Sequence, residues 1–250
     1  MYNKWCIRLQ TEREDAILNL DLSTFLDFFT RLIVICMVTP IHECAHAYAA
    51  YKLGDDTASI QGRMTLNPLA HFDPVGTICL LFAGFGWAKP VPVNPNRFDR
   101  KISMRGGMAI TALAGPLSNL LVAILSMVIY RVFCCFQVVQ TAVVDYYTSG
   151  GVNTYFILYY MLQAFIFINL GLAIFNLIPI PPLDGSHILG YFTSSKVDAF
   201  FYKNQRVISI VFMVILVTGV LSGPIGFVEQ HIYNLLLTLT NWIPNLLGTL

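Results

Sequence analysis

The stretch Ile41-His42-Glu43-Cys44-Ala45-His46-Ala47-Tyr48 decides how the rest of the chain is read. It has the form H-E-x-x-H inside a run of apolar and small residues. On an α-helix His42 and His46 stand at i and i+4, so both imidazoles leave the same face. They can hold one zinc ion there, with Glu43 beside them as general base for water. The simpler alternative is a pair of helix histidines bonded to neighbouring polar groups. Cys44 points away from the histidine pair. With Cys6, Cys36, Cys79, Cys134 and Cys135 it reads as a small buried hydrophobe, because the six show no paired spacing.

Composition sets the surroundings of this motif. The chain is 56% hydrophobic and 12% charged, with a mean hydropathy of +0.65. A soluble domain carries about 25% charged residues, so an α-helical polytopic membrane protein in a lipid bilayer is expected. The net charge of +1, with no basic run, argues against a nucleic-acid partner. No apolar core follows a basic start in residues 1–20, so no cleavable signal peptide is expected and the first apolar segment stays in the membrane.

About four transmembrane helices are predicted. The first runs from about Phe25 to Tyr51, kinked at Pro40 and closed by Lys52 and a cap glycine, Gly54. The next stretch, Thr57 to Arg105, holds five prolines and an apolar run too short to cross. It reads as a re-entrant or interfacial region with short strands at Ala58–Met64 and near Val91–Val93. The second span is about Met108 to Tyr130, with Gly115 for close packing and Asn119 as an interhelical amide. The third is about Thr154 to Leu177 and the fourth about Val207 to Leu221. An interfacial C-terminal helix is expected from Phe227 onward. A single membrane-embedded domain, residues 1–250, is expected, with its catalytic core at about 25–190 and C-terminal helices at 204–250. Lys and Arg concentrate in the loops after the first and third spans, which puts those loops and the nearby motifs on the cytoplasmic side.

A catalytic zinc site takes three protein ligands and leaves a position for water. The third span ends in Asn176-Leu177-Ile178-Pro179-Ile180-Pro181-Pro182-Leu183-Asp184-Gly185, and three prolines in four positions cannot continue a helix. Bare backbone at the end of an apolar span must line protein or a cavity. Asp184 in that break is the best third ligand, set against the reading as a turn aspartate before Gly185. Asn176 is a candidate donor for a developing oxyanion, set against a capping or interhelical bond. His71 reads as a structural loop histidine, His231 as structural or interfacial, and His187 as structural or a neighbour of the metal site.

Together these residues resemble the site-2 proteases, the intramembrane zinc metalloproteases. The resemblance rests on H-E-C-A-H in the first span, G-P-L-S-N in the second and N-L-I-P-I-P-P-L-D-G closing the third. N-P-L-A-H-F-D-P-V-G and G-W-A-K-P-V-P-V-N-P are similar to compact bacterial members, and the likeness covers about Leu32 to Gly190. It implies one zinc per chain held by His42, His46 and Asp184, with Glu43 as catalytic base and Asn176 near the reacting carbonyl. It also implies transmembrane-helix protein substrates, a bacterial inner-membrane location and an active site toward the cytoplasm. A compact type without a PDZ-like insertion or a CBS-like tail is expected. The segment Ala58–Met64 is expected to pair with an unwound substrate strand. The competing reading is a membrane protein that binds or transports metal without proteolysis. Glu43 separates the two, since a transporter has no need of an acid beside the histidines.

Overall fold

The computed structural model describes residues 28–83 and 86–248, and among them every regular element is helical. The first helix, α1 (Phe28–Lys52), carries the H-E-x-x-H motif. The expected disturbance at Pro40 takes the form of a π-helical turn, Val34–Val38, in which Thr39 N–H reaches back to Val34 O. Pro40 has no N–H to continue the regular ladder, and the Thr39 hydroxyl adds a 3.0 Å bond to the same carbonyl. The last three turns are then regular. Gly54 closes the helix at φ +102°, a left-handed geometry that favours glycine.

A short helix α2 (Thr57–Ile60) follows. The strand expected at Ala58–Met64 is therefore absent, and with it the strand-pairing role assigned to that segment. Asp55 accepts from the Thr57 N–H at 3.0 Å, a side-chain turn that starts helix rather than extended chain. Helix α3 (Pro74–Ala83) is the short apolar piece. It is tied to α1 by Arg31, whose guanidinium donates to Leu81 O at 2.6 Å. Residues 88–94 are extended but pair with no other strand among the described residues.

Helix α4 (Met104–Phe133) is the centre of the molecule and packs against α1, α6 and α7. Ser103 caps it by accepting from Gly106 N–H. The helix runs through Pro116 without a break. The smaller α5 (Gln137–Ser149) and the long α6 (Thr154–Asn176) follow. Asn153 caps α6, accepting from Phe156 N–H at 2.9 Å, and the proline run stops it after Asn176. Then come α7 (Asp184–Phe192), α8 (Ser195–Val217), α9 (Ser222–Leu239) and α10 (Trp242–Leu247).

Four helical segments are long and apolar enough to cross a membrane: Phe28–Lys52, Met104–Phe133, Thr154–Asn176 and Ala199–Val217. The last begins and ends earlier than the sequence suggests. The core joins α4, α6 and α9 through Ala123, Met127, Ile166, Leu170, Tyr233 and Leu236. Helix α9, from the region expected at the interface, runs along α6 in the opposite direction. Glu229 lies beside Gly171, and Tyr233 stacks on Phe167 at 4.5 Å. Toward the site, α1 buries Ala47 and Ala50 while α4 buries Gly107, Ala112 and Gly115. Side chains this small let the two helices approach closely.

Candidate metal centre

His42 and His46 are buried on the face of α1 that meets α4. Each imidazole is held by its Nδ1. His42 Nδ1–H donates to Asn119 Oδ1 at 3.1 Å, and His46 Nδ1–H donates to the Thr111 carbonyl at 2.7 Å. Both acceptors belong to α4. An oxygen acceptor on Nδ1 puts the ring proton there and leaves Nε2 as a lone pair, the tautomer a metal-ligating histidine needs.

The two Nε2 atoms lie 3.0 Å apart. Asp184 Oδ2 stands 3.2 Å from His42 Nε2 and 3.3 Å from His46 Nε2. Asp184 opens α7 just beyond the proline-broken segment, and Gly185 lets that turn close. A Cβ on Gly185 would come within 2.4 Å of Leu177 O and 2.5 Å of Ile178 O. Three electron-pair donors thus face one another in a buried place, and Asp184 Oδ2 has no conventional hydrogen-bond donor. A proton on one imidazole would serve only part of this cluster, whereas a single cation between the three serves all of it. Ligands about 2 Å from a tetrahedral centre lie about 3.4 Å apart, close to the observed spacing. Two imidazoles and one carboxylate form a donor set suited to catalytic zinc. Among the described residues these three form the one such group of metal-ligating side chains.

Where the imidazoles carry protons in place of a cation, burial still works to raise the Asp184 carboxyl, but their hydrogen bonds and charge outweigh it and hold it below the ordinary carboxylate range. His187, on the next turn of α7, is pushed down by burial, against the attraction of Asp184.

Glu43 follows His42 on α1. Its Oε2 accepts the Val91 backbone N–H at 2.9 Å, from the extended segment that follows α3. One carboxylate oxygen is thereby oriented while the other stays available for a proton. The Asn176 amide donates to Leu172 O at 3.0 Å, a bond back into its own helix. His71 is buried, and its Nε2–H donates to Thr65 O at 2.8 Å, so it shapes the loop that carries it. His231 donates to Phe227 O within α9.

Three supporting groups were not assigned these parts from sequence: the Thr111 carbonyl, the Val91 amide and the surface of Gly115. A Cβ on Gly115 would lie 2.4 Å from His46 Nε2, 2.5 Å from His46 Cε1 and 2.6 Å from His42 Cε1. Gly115 and Asn119 are one turn apart in G-P-L-S-N, a spacing that signals one shared helix face. Nothing in the sequence says that this face receives the imidazoles.

Residues 30–220 match the model of Peptidase family M50. The chain is 42% identical over 178 residues to the candidate zinc metalloprotease YwhC of Bacillus subtilis, covering 71% of this chain and 75% of that one. It is 29% identical over 151 residues to the candidate zinc metalloprotease Rip2 of Mycolicibacterium smegmatis, covering 58% of this chain and half of the relative. Rip2 of Mycobacterium tuberculosis is 28% identical over 148 residues, again with half of its length covered. No solved structure gives a significant match. The match across most of the chain and the convergence of its two motifs on one candidate metal centre mean that the chain belongs to Peptidase family M50, the site-2 protease family.

Proposed function

We propose that this chain is a zinc endopeptidase that cuts transmembrane segments of membrane proteins in or near the bilayer, from the cytoplasmic side of a cell membrane. The observation that carries the reading is the meeting of His42, His46 and Asp184 beside Glu43, at the ends of two apolar helices. The peptidase family disfavours the metal-transport reading. Residues 25–190 form the catalytic core in this proposal, and 204–250 supply the C-terminal helices.

His42, His46 and Asp184 would hold the metal. Zinc, when bound, supplies a Lewis acid that acidifies water and polarises a carbonyl. Glu43 takes the proton of the attacking water on the oxygen that Val91 leaves free, and passes it to the leaving amine. Asn119 and Thr111 keep both imidazoles in the ligating tautomer throughout. Asn176 is proposed to turn its amide from Leu172 O toward the oxyanion that develops on the scissile carbonyl. Bilayer substrates fit a site whose histidine-bearing helix is itself an apolar span.

The test compares the membrane proteome of cells making the active enzyme with that of cells making Glu43→Gln. The proposal expects specific membrane proteins to accumulate uncut with the variant while zinc stays bound. Identical fragments in both would overturn it.

A further inference from the structure

We propose that Arg63 is a positioning residue for Glu43, acting through the extended segment 89–94. Arg63 is 8% exposed and carries its charge under the loop that follows α3. Its Nη2 donates to Lys89 O at 2.6 Å and to Pro90 O at 3.2 Å. Val91, the next residue, gives its N–H to Glu43 Oε2. At the far end of the segment, Asn94 N–H donates to Asp55 Oδ2 at 2.6 Å. Asp55 is fully buried, and its other oxygen holds the Thr57 amide and hydroxyl. The segment is thus fixed on both sides of the amide that meets the carboxylate.

The sequence of the segment explains why such a clamp is needed. In Lys89-Pro90-Val91-Pro92-Val93-Asn94 the two prolines offer no N–H, so one edge of the run can donate nothing to a strand ladder, and no strand pairs with its other edge among the described residues. Lys89 N–H is taken by His71 O at 3.0 Å. A charge-assisted bond from a planar guanidinium to two successive carbonyls supplies the hold that a neighbouring strand would otherwise give. Glu43 needs that hold because its side chain has several rotatable bonds and leaves a rigid helix. The Val91 amide selects one rotamer and one oxygen. Arg63 touches neither Glu43 nor the metal ligands, and its influence passes entirely through the backbone between Lys89 and Val91.

The kinetic arm of the test rests on the proteolytic reading, while the exchange arm does not. Arg63→Ala, Arg63→Lys and Val91→Pro are made in the full-length chain. Zinc content, amide hydrogen exchange across residues 89–94, and kcat and KM on a transmembrane substrate are then measured. In Arg63→Ala the Val91 amide is expected to exchange faster while about one zinc per chain stays bound. Its kcat should fall roughly ten- to a hundredfold with KM unchanged, as for a catalytic group displaced by a fraction of an ångström. Arg63→Lys should recover part of that loss. Val91→Pro should reproduce it, and combining it with Arg63→Ala should add nothing further. Unchanged exchange in Arg63→Ala, an unchanged kcat, or additive losses would overturn the proposal. If Arg63→Ala does not fold, Val91→Pro and Arg63→Lys decide, and wild-type kcat in both overturns it. A wild-type enzyme that cleaves nothing refutes the proteolytic reading instead, and the exchange result still decides whether Arg63 holds Val91.

Discussion

Gly115→Ala adds one methyl group at the point where α4 meets the two imidazoles. The new carbon would lie 2.4 Å from His46 Nε2 and 2.6 Å from His42 Cε1, against 3.4 Å for an ordinary contact. One of the groups must therefore move by about 1 Å. The α4 backbone cannot yield easily, because the same helix holds Asn119 against His42 and Thr111 against His46. A shift of that size exceeds the roughly 0.2 Å tolerance of a metal site, and a misplacement of about 1 Å at a reacting centre costs about a hundredfold in rate. Alanine is the better helix former, by about 1 kcal/mol over glycine. The variant is thus expected to keep its helical content and to lose function. Zinc per chain, measured by elemental analysis of purified enzyme, should fall well below one, and cleavage should fall at least about a hundredfold. Stoichiometric zinc together with cleavage within about threefold of the parent would refute the placement of Gly115 against the imidazoles.

Other substitutions separate the parts of the site. Asn119→Leu leaves His42 Nδ1–H without its acceptor and should weaken zinc binding about ten- to a hundredfold, read by competition with a chelator. Asp184→Ala removes the donor from the unwound segment, and zinc should then be lost on dialysis that the parent survives. Gly185→Ala forces a Cβ against the Leu177 and Ile178 carbonyls, so it should displace Asp184 and lower zinc content even though no ligand is changed. Asn176→Ala should keep zinc and lower kcat by about a hundredfold or more if its amide meets the oxyanion. A kcat equal to the parent's would leave Asn176 with only its Leu172 bond.

Much of the fold is legible in the sequence because a span announces itself by composition. A window such as Thr154–Asn176 has few charges and high hydropathy, and the prolines after it stop a helix by local chemistry alone. H-E-x-x-H is legible for a related reason, since helical periodicity places His42 and His46 on one face wherever the helix lies. The strand expected at Ala58–Met64 fails because Asp55 bonds Thr57 and nucleates a helical turn, a local competition that residue propensities leave open. Helix α9 is legible as a helix, but its packing is not: Tyr233 and Leu236 find partners on α4 and α6 that only the packed bundle provides.

The sequence by itself determined two histidines on one helix face, an acid beside them, an aspartate in a broken helix and a membrane setting, because each of these is a property of one segment. Tertiary structure decided what lies between segments. It brought Asp184 to within 3.3 Å of both imidazoles, although the chain separates it from His46 by most of the protein. It chose Asn119 and Thr111 to set the tautomers, and Val91 to aim Glu43. Distances between remote groups depend on how closely helices pack, and here that closeness turns on a missing Cβ at Gly115.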